Sequence, residues 1–158
     1  MITKDQITNA IPETLRPFLI ITVTSEISDK YTTTIKAFFV ALKHFYPAVQ
    51  NLRQVLIHFG ESPFLSESTV AQVRLTLSES PAPVALCWYD TIYFDVKRLD
   101  AYLFDYRVAS FMEELCHVFL NIKAESLVKT VVSHLYSRAR CENGDYRVEL
   151  NPDYDAQI

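Results

Sequence analysis

The stretch FMEELCHVF, Phe111 to Phe119, carries two carboxylates and an imidazole close together in sequence. On a helix, at about 100° per residue, Glu113 and His117 lie one turn apart and their side chains can converge on one point. Two donors so placed on a rigid element are what a divalent ion needs from a first pair of ligands. Glu114 then stands beside such an ion, where it can take a proton from a bound water. The same residues also form an ordinary i,i+4 pair on a wet helix face, worth a few tenths of a kcal/mol. The motif alone leaves both readings open.

A helix over Ala101 to Ile122 has to carry these groups. Phe104, Val108, Phe111, Leu115, Phe119 and Ile122 recur every three or four residues as its apolar stripe, and Glu113 and His117 fall on the side away from Leu115. A short joint at Lys123-Ala124 leads to a second helix, Glu125 to Arg138, with Leu127, Val128, Val131, Val132 and Leu135 as its dry face. Upstream, Ile35, Phe38, Phe39, Leu42, Phe45 and Tyr46 predict a helix that begins near Asp29 and ends at Pro47. Three strand-like segments follow: Gln54 to Gly60, Val70 to Ser78, and Val84 to Val96 folded into a hairpin at Tyr89-Asp90. Val73, Leu75 and Leu77 alternate with polar residues, which predicts a mostly antiparallel sheet with one solvated face. The segment 1–28 reads as an N-terminal extension holding a short helix near Pro12 and a β-branched run, Ile20 to Val23. From Cys141 onward an acidic tail, 141–158, has turn chemistry at Asn143-Gly144 and Asn151-Pro152 and either forms a short strand, YRVEL, or drapes over the surface.

With 158 residues, 49% hydrophobic and 22% charged, the chain is long and apolar enough for one domain with a real core. A formal charge of -4 and the lack of a Lys/Arg run argue against a nucleic-acid partner. Only 2 glycines occur, which excludes glycine-rich phosphate loops. The longest apolar runs are too short to span a bilayer and the N-terminal residues are broken by charges, so a soluble, cytoplasmic protein without membrane contact is expected. Cys87, Cys116 and Cys141 form no C-x-x-C pair and read as buried apolar thiols.

The segment Ala82 to Ile122, with its "TIYFDV" stretch leading into the helix that bears Glu113-Glu114-x-x-His117, resembles the core of zincin-type metallopeptidases. It covers about a quarter of the chain, and the preceding helix-then-strands order is similar to the minimal zincin layout. The resemblance implies an α+β zincin-like fold: a small, mostly antiparallel sheet on a long helix, then an active-site helix and a C-terminal helix. It also implies a metal-dependent hydrolase, with zinc as the cofactor and a peptide or protein as the substrate. His117 matches the second His of H-E-x-x-H and Glu114 the catalytic Glu, whereas Glu113 stands where the family has its first His. A carboxylate there still ligates zinc but adds negative charge at the ion.

A zincin needs a third ligand from downstream. His134, at the edge of the second helix's dry face, is the candidate that would complete Glu113, His117 and His134, and it reads at least equally well as a boundary histidine bonded to a backbone carbonyl. Glu125 competes, although the helix dipole equally explains an acidic residue at that start. Glu142, Asp145 and Glu149 are outside candidates. His44 and His58 lack a partner at ligand spacing, and Asp90, Asp95 and Asp105 read as turn and cap residues. Two other functions remain open: a catalytically inactive zincin-like scaffold that binds a protein partner, and an oxygen-using iron protein built on two histidines and a carboxylate.

Overall fold

The computed structural model describes residues 1–23, 27–61 and 85–148. Their order is α1 (Lys4–Ala10), β1 (Leu19–Val23), α2 (Thr32–Phe45), β2 (Val55–Gly60), β3 (Ala85–Trp88), β4 (Thr91–Asp95), α3 (Val96–Leu99), α4 (Phe104–Phe119), α5 (Glu125–Leu135), β5 (Ala139–Glu142) and β6 (Asp145–Val148). The fold is mixed α/β. The predicted strand at Val70 to Ser78 and the end of the acidic tail lie outside the described residues.

The main sheet has the order β1-β2-β4-β3, and β5 and β6 form a separate hairpin. β1 pairs with β2 and β2 with β4 in parallel, and among the described residues only β3 runs antiparallel, against β4. The expectation of a mostly antiparallel sheet is therefore wrong. Its physical reason is α2, which carries the chain back between β1 and β2, so the next strand starts from the same end; tight turns would have reversed it. Among the described residues the one tight reversal in this sheet is at Tyr89-Asp90, where Tyr89 adopts φ 52.

The core lies between one face of the sheet and the helices α2 and α4. Along β2, Val55, Ile57 and Phe59 are buried, as the two-residue period of a strand requires. Phe38 of α2, Phe59, Phe94 of β4 and Phe111 of α4 meet there, with ring centroids 5.1 Å apart for Phe38–Phe59 and 4.6 Å for Phe94–Phe111. Segment 1–28, read as an extension, contributes Ile7, Ile11, Leu15, Leu19, Ile21 and Ile27 to this core and supplies β1. The short helix precedes Pro12 and starts from a capping box between Thr3 and Gln6.

The expected helices form within a few residues of their predicted ends. α4 stops at Leu120 because Asn121 takes a left-handed conformation, φ 53, which closes a helix and turns the chain toward α5. The β5–β6 hairpin, of which only the second strand was expected, turns at Asn143 (φ 54) and Gly144 (φ 83), the backbone signs of a two-residue type I′ turn. Among the described residues no helix is long and apolar enough to cross a membrane.

Candidate active site

The C-terminal half of α4, strand β3 and the α4–α5 connection enclose a cleft of about 700 Å³. β3 contributes Ala85 and Cys87, which share a face because strand side chains alternate. α4 contributes Glu114 and His117, three positions apart and thus on one side of the helix. The connection adds Asn121, Ile122 and Lys123, and α5 brings its first residue, Glu125. Arg53 closes the other end; its Nη2 donates to the Val118 carbonyl at 2.6 Å and its Nε faces Asp90 at 3.0 Å.

His117 is held from one side and open on the other. Its Nδ1 lies 2.6 Å from the Ile122 carbonyl oxygen, which can only accept, so the proton sits on Nδ1. In the neutral ring Nε2 then carries a lone pair, and it points at Glu125 Oε1, 3.4 Å away. Two lone pairs facing each other need something positive between them: a second ring proton or a cation. A charge-assisted N–H···O bond closes to about 2.7–2.9 Å. Two donors on a tetrahedral ion with bonds of about 2.1 Å stand about 3.4 Å apart. The observed 3.4 Å is longer than a charge-assisted bond, and Glu125 is largely exposed and free to adjust.

Three carboxylates interact electrostatically with this imidazole or contact it. Burial raises the Glu114 carboxyl to about 7; His117 opposes the shift, and Glu113 and Glu125 add to it. Burial also raises Glu113, against the Tyr146 hydroxyl and Lys129, which act to lower it. Glu113 does not line the cleft. It faces the hairpin, where its Oε1 and the Tyr146 hydroxyl are both buried beside one another yet meet no partner at hydrogen-bond geometry among the described residues.

His134 is exposed on the last turn of α5, away from His117, which lies against the opposite end of that helix. Leu127, two turns earlier on the same line of the helix, is also half exposed at 51%. His134 was expected at the edge of the dry face, but the buried part of that face is narrower than expected, with Val128 and Val132 as its fully covered residues. The structure thus brings Glu114, His117 and Glu125 to one cleft, sets Glu113 beside Tyr146, and leaves His134 out. Glu142 and Asp145 flank the hairpin turn, paired with Arg147 and with Tyr106 and Lys129, and Glu149 lies outside the described residues.

The remaining candidates have structural partners. Thr22 and His58 bond across β1 and β2, and His44 packs edge-on to Tyr136. Asp95 caps α3, as expected of a cap residue. Asp105 is no cap: it is buried in the first turn of α4, where Tyr136 and Arg138 donate to it. Cys87 and Cys116 are neutral thiols, pushed up by burial to about 11 and about 12.

Sequence reasoning missed Tyr146 and the Ile122 carbonyl. Tyr146 had a signal in the alternation of DYRV, but which element its buried side would meet is written only in three dimensions. No match to this chain is found among protein-family models, curated proteins or solved structures.

Proposed function

We propose that the chain is a metal-dependent hydrolase of zincin-like architecture that cleaves peptides in the cleft between β3 and α4. The observation that carries this reading is the pair of facing acceptors, His117 Nε2 and Glu125 Oε1, at 3.4 Å. Among the described residues no group of three or more His, Cys, Asp and Glu already forms a cation cluster. Two possible donors, His117 and Glu125, nevertheless face each other in the cleft. His117 is oriented through Nδ1 as metal-bound histidines are, and Glu113, one turn earlier on α4, has a buried carboxylate oxygen with no aligned hydrogen-bond partner among the described residues. His117 and Glu125 would hold the ion, and Glu113 would join them only by turning from the hairpin toward the cleft. Imidazole with two carboxylates suits zinc and also serves manganese or iron. When bound, a divalent cation supplies Lewis acidity to a carbonyl oxygen and to the water it carries.

The chain's own residues divide the remaining tasks. Glu114 has a near-neutral carboxyl within the cleft, the property a general base needs at neutral pH, and it can pass the proton on to the leaving amine. Ala85 and Cys87 form one wall, where an extended peptide can lie against β3, its backbone bonding to the strand. Arg53, fixed at the cleft's end by Val118 and Asp90, offers positive charge toward a bound chain.

A second reading, a non-hydrolytic scaffold on the same fold that binds a protein partner, is favoured by one observation: Glu113 does not line the cleft. Elemental analysis of tag-free protein equilibrated with zinc separates the two. The hydrolase reading expects about one equivalent of metal, lost in both His117→Ala and Glu125→Ala. It further expects Glu114→Gln to keep the metal and lose about 10²–10⁴-fold in hydrolysis of casein. Protein that takes up no metal and leaves casein intact belongs to the scaffold reading.

A further inference from the structure

The β3–β4 turn sets a tyrosine at the cleft in a conformation that tyrosine does not favour. Tyr89 lines the cleft, is 82% exposed, and has a left-handed backbone at φ 52. It is the first central residue of a two-residue hairpin turn, where glycine meets a positive φ without steric penalty and a bulky side chain is an outlier. Neighbouring bonds hold the turn there. The Leu56 amide of β2 donates to the Asp90 carbonyl at 2.8 Å. Arg53 Nε meets the Asp90 carboxylate at 3.0 Å while its Nη2 donates to the Val118 carbonyl of α4 at 2.6 Å. Glycine or asparagine would relax this backbone, and a ring so exposed adds little to the core.

The wall that leads from Tyr89 along β3 is uncharged. It consists of Ala85 and Cys87, whose thiol burial keeps neutral and whose Sγ lies 3.8 Å from the Tyr89 carbonyl oxygen. The Asp90 carboxylate beside the ring is matched by Arg53. An aromatic side chain gains from stacking on such a surface, whereas a charged one gives up water and finds no counter-charge.

We propose that Tyr89 is a specificity-determining residue that receives an aromatic side chain of the polypeptide bound in the cleft. The inference rests on the reading that a polypeptide occupies this cleft, deepens it by naming a side chain it selects, and does not depend on a cation. Because the turn is already braced, docking there costs little ordering of the backbone.

The test is fluorescence anisotropy of labelled short extended peptides that differ only in a central Phe, Ser or Asp, added to chelator-treated full-length protein so that binding is read without cleavage. The Phe peptide is expected to bind about 3–10-fold more tightly than the other two, the worth of one aromatic pair. Tyr89→Gly is expected to abolish that preference while the melting temperature stays the same or rises, and Tyr89→Asn, which also tolerates the left-handed backbone, to do the same. Tyr89→Phe is expected to keep the preference. Equal binding of the Phe and Ser peptides by the unaltered protein overturns the proposal, and so does a preference that survives in the glycine and asparagine variants. A loss shared equally by all three peptides also overturns it, because the turn then shapes the cleft without reading a side chain. If none of the peptides binds, polypeptide occupancy of the cleft and this proposal fall together, while metal uptake and casein cleavage judge the hydrolase reading separately.

Discussion

Arg138 grips the Asp105 carboxylate with two nitrogens, Nε at 3.0 and 2.9 Å from the two oxygens and Nη2 at 2.7 Å from Oδ2. Asp105 opens α4 and Arg138 follows α5, so this pair, with the Tyr136 hydroxyl on the same carboxylate, sets the two helices antiparallel. Glu125 then has to lie near the end of α4, beside His117. Asp105→Asn keeps the shape but removes the charge that Arg138 was built against. It is expected to cost about 2–4 kcal/mol in urea unfolding, toward the lower part of the range for a broken buried pair because Arg138 remains partly exposed.

Substitutions separate Glu125 from His134 as cation-holding residues. Glu125→Gln is expected to weaken zinc binding at least about 10-fold, since an amide is a poor ligand and brings no charge. His134→Ala, on the exposed end of α5, is expected to change it by less than about 2-fold. Isothermal titration on tag-free protein gives both values; the reverse ranking would restore the ligand set expected from the sequence.

Glu114 imposes a pH dependence whose sign follows from its raised carboxyl. The folded protein binds this proton more tightly than the unfolded chain, so its contribution to stability is complete below about pH 4.5, the unfolded value. That contribution is lost as pH rises through about 7. Glu114→Gln, neutral at every pH, is therefore expected to be more stable than the parent by about 1–3 kcal/mol at pH 8, with the difference gone at pH 4. Urea midpoints of metal-free protein at the two pH values measure it. A Glu114→Gln variant less stable at pH 8 would show that burial does not govern this carboxyl.

The aromatic cluster predicts a conventional core effect. Phe111 is fully buried and meets Phe38 at 5.5 Å and Phe94 at 4.6 Å, joining α4 to α2 and β4. Phe111→Ala is expected to cost about 3–5 kcal/mol in denaturant unfolding, with Phe111→Leu well below that.

Periodicity made the helices legible. The stripe Phe104, Val108, Phe111, Leu115 is buried as read, and Tyr89-Asp90 turns the β3–β4 hairpin as expected. Strand direction was not legible, because alternation reports which side is dry and says nothing about which way the neighbour runs. The helix α5 shows a related limit. Leu127 is apolar and on the expected stripe but stays half exposed, and His134, on the same line of the helix, is exposed as well, while Val128 and Val132 of that stripe are buried. For Glu125, the dipole and the site predict the same residue at the same place, so only the distance to His117 distinguishes them.

Parallel pairing of β1 with β2 and of β2 with β4 also governs how this molecule comes into being. Leu19 meets Val55 and Leu56 meets Thr91, contacts between chain segments that leave the ribosome far apart in time. The oily side of the emerging sheet has no cover from α4 until Phe111 has been made. Assembly is accordingly late and cooperative, and a nascent chain halted before that helix would present its unfinished interior to chaperones.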